Sequence, residues 1–82
     1  MKVLLGFEKP YKIMKMITET GNVLVSEGSR IKVITLNEET GETNEIEGRV
    51  MKLSAKKMEI QPVDYAFVSI IEFEEIAEIE VL

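Results

Sequence analysis

From Gly28 onward the chain changes character at every second residue. SRIKVIT sets Arg30 and Lys32 against Ile31 and Val33, and NEIEGRV sets Glu45, Glu47 and Arg49 against Ile46, Gly48 and Val50. A period of two places alternate side chains on opposite faces of a strand, so each run predicts one buried and one solvated face. β-Branched residues favour the same conformation. Between the runs, NEETGET is a turn: Asn37 and Gly41 supply the permissive backbone and polar side chains surround them. Strand, turn and strand in this order restrict the segment to an antiparallel, mostly β arrangement.

The pattern continues to the C-terminus. Gly48 inside a strand marks a bend, a bulge or a close backbone approach. Val50 and Leu53 cannot share a face by strict alternation, which predicts a bulge near Met51 and Lys52. KMEIQPV reads as a third strand with Met58 and Ile60 inward, ended or held at an edge by Pro62, which has no N–H to donate. VDYA is a turn, FVSIIEF a fourth strand, EEI a single 3₁₀ turn and AEIEVL a fifth strand. Glu and Ala in EFEEIAEIE favour a helix, but Ile70, Ile71, Phe73, Ile76, Ile79 and Val81 do not hold one helical face. The expected core is Ile31, Val33, Ile46, Val50, Met58, Ile60, Val68, Ile70, Phe73, Ile76 and Ile79.

Residues 1–27 are open to two readings. Pro10 followed by YKIMKMITET and Gly21 suits a helix, with Ile13, Met16 and Ile17 on one face. KMITE and VLVSE suit a hairpin turning at Gly21–Asn22. The hairpin is the reading adopted for 15–26, and it puts Met14 and Met16 on one face, where methionines more often fill a core than form a binding surface. Residues 1–12 stay unassigned.

Eighty-two residues make one domain with a modest core. There is no Cys and no His, which excludes disulfides and removes the thiolate and imidazole ligands of zinc and other soft metals. No metal or cofactor is expected, and self-association is the remaining support for a small core. The apolar run Val3–Leu5 is too short for a signal peptide, and no apolar stretch approaches membrane-spanning length. The expectation is a cytoplasmic protein. The net charge of −5 is uneven: residues 1–36 carry six basic and three acidic side chains, residues 37–82 four and twelve, and nothing basic follows Lys57. That asymmetry bears on association rather than on fold. It suggests the basic N-terminal third meeting an acidic edge, Glu72, Glu74, Glu75, Glu78 and Glu80, within one chain or between copies.

Residues 28–82 resemble the small SH3-like and Sm-like β-barrels. GSRIKVIT looks like the first barrel strand, EIEGRVMKL like the bent second strand with its central Gly48, KKMEI like the third, and VSIIEFEEIAEIEVL like the closing strand, 3₁₀ turn and final strand. The C-terminal barrel of bacterial ribosome maturation factors has a similar tail. The resemblance implies an all-β protein: a five-stranded antiparallel barrel over 28–82, preceded by an N-terminal hairpin or short helix. It does not carry RNA binding with it. The asparagine that Sm-like RNA binders present after the third strand's first apolar residue is Glu59 here, and Ile71–Glu72 stands where an arginine–glycine pair would.

No catalytic constellation stands out, and the chain reads as no enzyme. Catalytic carboxylates need one raised pKa in a pocket, whereas the C-terminal glutamates alternate with apolar residues like a solvated face. The loop Asn37–Asn44 lacks the acidic spacing of a calcium site. Ser26, Ser29, Ser54 and Ser69 have no evident base, and the five glycines are scattered rather than gathered in a phosphate loop. Arg49, Lys52, Lys56 and Lys57, with Tyr65 and Phe67 to stack bases, are the candidate nucleic-acid patch. The net negative charge opposes it. The sequence therefore favours a non-catalytic protein-interaction or assembly module, with a weak RNA- or ribosome-associated barrel as the alternative.

Overall fold

The computed structural model describes residues 2–8, 11–18 and 21–82. Strands β1 (Lys2–Glu8), β2 (Tyr11–Thr18) and β3 (Gly21–Ser26) form a three-stranded antiparallel sheet. Strands β4 (Arg30–Leu36), β5 (Thr43–Leu53), β6 (Lys57–Pro62), β7 (Ser69–Glu72) and β8 (Ile76–Val81) form a second antiparallel sheet in the order β7-β6-β5-β4-β8. A 3₁₀ turn, Phe73–Glu75, joins β7 to β8, one residue earlier than EEI predicts. Among the described residues there is no α-helix.

The hairpin reading of 15–26 holds and the helical one does not. Met14 and Met16 are fully buried while their neighbours Ile13, Lys15 and Ile17 are half-buried, an alternation that a helix would scramble. The turning point is corrected. Gly21 and Asn22 lie in β3, opposite Thr18 and Ile17, and residues 19–20 lie outside the described residues. Pro10, proposed as a helix start, also lies outside them. Strand β1, which the sequence left unassigned, pairs with β2 along its whole length.

Residues 1–27 are more than an extension. The inner face of the three-stranded sheet carries Met14, Met16 and Val25, with Val3 and Val23 partly buried beside them. These join Ile31, Val33, Val50, Leu53, Met58, Ile60, Ile71, Phe73 and Ile76 in one core. β3 lies against β8 and β2 against β5. The five-stranded sheet keeps two edges, β7 and β8, with no ladder between them, so hydrogen bonding does not close it into the expected barrel. The first sheet covers apolar surface that closure would otherwise bury.

Two features of β5 follow from the sequence pattern. Its register with β6 shifts between Val50 and Lys52, the predicted bulge, which turns Leu53 inward to full burial. Gly48 pairs with Pro62, and a Cβ at Gly48 would lie 2.9 Å from the Pro62 Cα and closer still to the Gln61 carbonyl. Close backbone approach, rather than a special φ, is why glycine stands there.

The predicted core needs correction at β7. Val68 and Ile70 are exposed, at 45% and 61%, and Ile71 is the buried residue. The cause lies across the ladder: Ile71 pairs with buried Met58, and paired residues share a face. Ile46 and Ile79 pack against the core half-buried rather than inside it.

The β4–β5 turn is held by Asn37. Its side-chain oxygen accepts from the backbone N–H of Glu39 at 3.0 Å and of Thr40 at 3.4 Å, and its backbone carbonyl accepts from Gly41 N–H at 2.7 Å. Asn37→Ala should cost about 1 kcal/mol, as loss of a side-chain-to-backbone bond typically does. A urea titration with an unmoved midpoint would count against this role.

Candidate functional site

The connection from β6 to β7 is fixed at its base and open at its tip. Pro62 ends β6. Val63 N–H donates to the Glu47 carbonyl at 3.0 Å, and the Gln61 side-chain amide donates to the Tyr65 carbonyl at 2.7 Å and to the Pro62 carbonyl at 3.3 Å. These bonds hold the backbone while the side chains project outward. Val63, Tyr65, Phe67 and Val68 are all exposed, Phe67 most of all at 72%. The Tyr65 and Phe67 rings lie 5.9 Å apart, tilted by 60°, within the range of favourable edge-to-face contact. Ile70 of β7, across the ladder from Glu59, is exposed as well, at 61%. Among the described residues no strand pairs on the outer side of β7, so alternate backbone groups of Ser69–Glu72 have no ladder partner there.

The sequence-predicted basic residues gather only in part. Lys52, Lys56 and Lys57 stand at the β5–β6 hairpin, all exposed, but Lys52 pairs across with Glu59 and Lys57 with Glu72. Arg49 lies further along β5, between Arg30 and Gln61. The patch is therefore interleaved with carboxylates, Glu59 close by in the sequence and Glu72 well beyond it.

The five glutamates divide between two places. Glu72, Glu74 and Glu75 line an open cleft with Asn37, Glu38 and Glu39 of the β4–β5 turn. Glu78 and Glu80 flank Lys32 and Ile34 on β4. Part of the charge asymmetry is thus met within the chain. Lys32 pairs with Glu45 at 2.7 Å and Arg30 with Glu47 at 3.3 Å. The Lys32 ammonium is held above its ordinary pKa, first by its hydrogen bond to Glu45 and then by that carboxylate's charge, with smaller help from Glu80 and Glu47. Glu72, Glu74 and Glu75 take part in no ion pair among the described residues.

Among the described residues no polar or charged side chain is buried, and no group of acidic side chains is arranged to hold a metal ion. A carboxyl poised for proton transfer needs desolvation or a close like charge, and no buried carboxyl offers the first. No helix among the described residues is long and apolar enough to cross a membrane.

Tyr65 is legible as a turn aromatic in the sequence; Phe67, read there as the start of the fourth strand, lies ahead of β7, which begins at Ser69, and Val63, Val68 and Ile70 as exposed companions are not legible. The signal available was an apolar cluster following a strand-ending proline, in a connection too short to reach back to a core. No known protein family matches the chain, and neither a curated protein nor a solved structure shows significant similarity to it.

Proposed function

We propose that this protein is a non-catalytic interaction module that docks a protein partner on the apolar surface running from Val63 to Ile70. The observation that carries this reading is the exposure of Val63, Tyr65, Phe67, Val68 and Ile70 on one loop and one sheet edge. Clustered exposed apolar side chains mark interaction sites, and aromatics are enriched among residues that dominate binding energy. The strand order β7-β6-β5-β4-β8, with a 3₁₀ turn before the last strand, supports an SH3-like or Sm-like parentage for the five-stranded sheet. Such a fold serves many functions. The absence of buried charge among the described residues supports a role without catalysis, and a cytoplasmic setting fits the cysteine-free chain.

Site-specific photo-crosslinking tests the reading. A benzoylphenylalanine at position 67 should capture a protein from cells that contain this chain's partners, while the same group at position 40 should not. Phe67→Ser should abolish capture by a cross-linker at position 65, with stability changed by no more than about 0.5 kcal/mol because the ring is exposed. An RNA-associated barrel makes the opposite prediction. Salt-sensitive retardation of oligouridine, with no protein captured at position 67, would favour stacking of bases on Tyr65 and Phe67 and defeat the protein-docking reading.

A further inference from the structure

The apolar surface ends in an unpaired strand edge, and that edge ends in the carboxylates Glu72, Glu74 and Glu75, of which Glu72 stands across the ladder from Lys57 without an ion pair between them. We propose that β7 accepts an added strand from a basic partner segment: an extended polypeptide with an apolar residue opposite Ile70 and a Lys or Arg two positions away, opposite Glu72. The inference rests on the protein-docking reading above and specifies its occupant.

Three observations carry it. β7 has a neighbour, β6, on one side only, so an incoming backbone finds unmatched donors and acceptors along Ser69–Glu72. Ile70 and Glu72 both point outward from β7, while Ile71 between them is buried. An added strand has the same period, so residues two apart meet Ile70 and Glu72 side by side. The third observation is charge. No basic residue follows Lys57, and Glu59, Asp64, Glu72, Glu74, Glu75, Glu78 and Glu80 do. Glu72, Glu74 and Glu75 have no ion-pair partner among the described residues. A cationic segment would supply one, with charge steering its approach and fixing its register.

The same charge argues against a second copy in this place. Two chains paired through β7 would bring two sets of carboxylates together, Glu72, Glu74 and Glu75 of each, and like charges across a sheet destabilise it. A strand of four residues also offers little backbone pairing by itself, so the anchors at Phe67 and Ile70 and the charge at Glu72 must decide the occupant.

The test uses the full chain and a blocked peptide of sequence Ser-Thr-Lys-Val-Ile-Val-Lys-Thr-Ser, in which the central Ile has a Lys two positions away on either side, followed by fluorescence anisotropy and amide hydrogen exchange. The expected result is binding that slows exchange at Ser69–Glu72 and weakens as salt rises. Glu72→Gln combined with Glu74→Gln should weaken it about fivefold, and Ile70→Ser or Phe67→Ser about tenfold, the size of a typical anchor loss. A peptide with Glu in place of Lys should not bind, and one with Pro in place of Val and Ile should bind at least about tenfold more weakly, because it lacks ladder donors and the aliphatic anchor. Equal binding of either control overturns the inference, as does binding without slowed exchange at β7. Concentration-dependent protection of β7 without peptide, matched by a dimer in sedimentation, assigns the edge to a second copy and overturns it too. Displacement of the bound peptide by oligouridine from residues 67–70 does the same in favour of RNA. If the peptide fails while position 67 still cross-links to a protein, the basic strand is wrong and the docking surface stands. If both fail, both readings fall.

Discussion

Gly48→Ala should destabilise the protein by about 3 kcal/mol or more, enough to leave a domain of this size largely unfolded on warming. The added methyl meets backbone, the Gln61 carbonyl and the Pro62 Cα, rather than the end of a side chain that can swing away. Relief requires β6 to move from β5. That motion would strain the Gly48–Pro62 pairing, the bond from Val63 N–H to the Glu47 carbonyl, and buried Ile60 in the same strand. Gly28→Ala is the control. Gly28 holds φ at +93° but a Cβ there meets nothing within 4 Å. Its cost is conformational only, about 1–2 kcal/mol. Thermal melts of both variants decide the matter. Equal shifts, or a larger shift for Gly28→Ala, would mean that β5 and β6 do not approach this closely.

The second large effect separates two neighbouring isoleucines. Ile71 is 2% exposed against Met58, Ile70 61% exposed against Glu59. Ile71→Ala should cost about 2–5 kcal/mol through lost transfer energy and the cavity left behind. Ile70→Ala should stay within about 0.5 kcal/mol, as surface substitutions do. Because the two residues are chemically identical and adjacent, the difference between them isolates the face each one occupies. Denaturant unfolding of the pair provides the measurement, and comparable losses would show that β7 is set in another phase.

That pair also shows where sequence reasoning stops. Alternation over Arg30–Val33 and Glu45–Val50 made β4 and β5 legible, and the broken phase from Val50 to Leu53 located the bulge. Ile70 and Ile71 carry no phase of their own; Met58, on another strand, sets it. Grouping Val68, Ile70 and Phe73 on one face therefore failed, since Ile71 and Phe73 are the pair that alternation keeps together. At the N-terminus, exposed Leu4 and Leu24 flank Lys15 across the sheet, and apolar residues on both faces blurred the period that Met14 and Met16 obey. Gly48 announced a close approach, but its neighbours, Gln61 and Pro62, were not readable from local sequence. The candidate surface followed the same rule. Lys52 and Lys57 looked like a basic patch until the ladder placed Glu59 and Glu72 opposite them, and Tyr65 and Phe67 were recognisable as aromatics without any sign of what accompanied them.

The order of strands in the larger sheet also imposes an order on its assembly. Ile31 pairs with Gly48 on one side and with Val81, fifty positions along the chain, on the other. The links from β4 to β5, β5 to β6 and β6 to β7 close short loops and can form early and locally. Joining β8 to β4 closes a loop of half the chain, an entropic cost that must be met before the pairing returns any energy. Until that step, the flank of β4 that will receive β8 stands open as a second unpaired edge. Loop-closure entropy thus makes the arrival of the last strand beside the first strand of the same sheet the step expected to be slowest, and a chaperone or a neighbouring chain would have its opportunity in that interval.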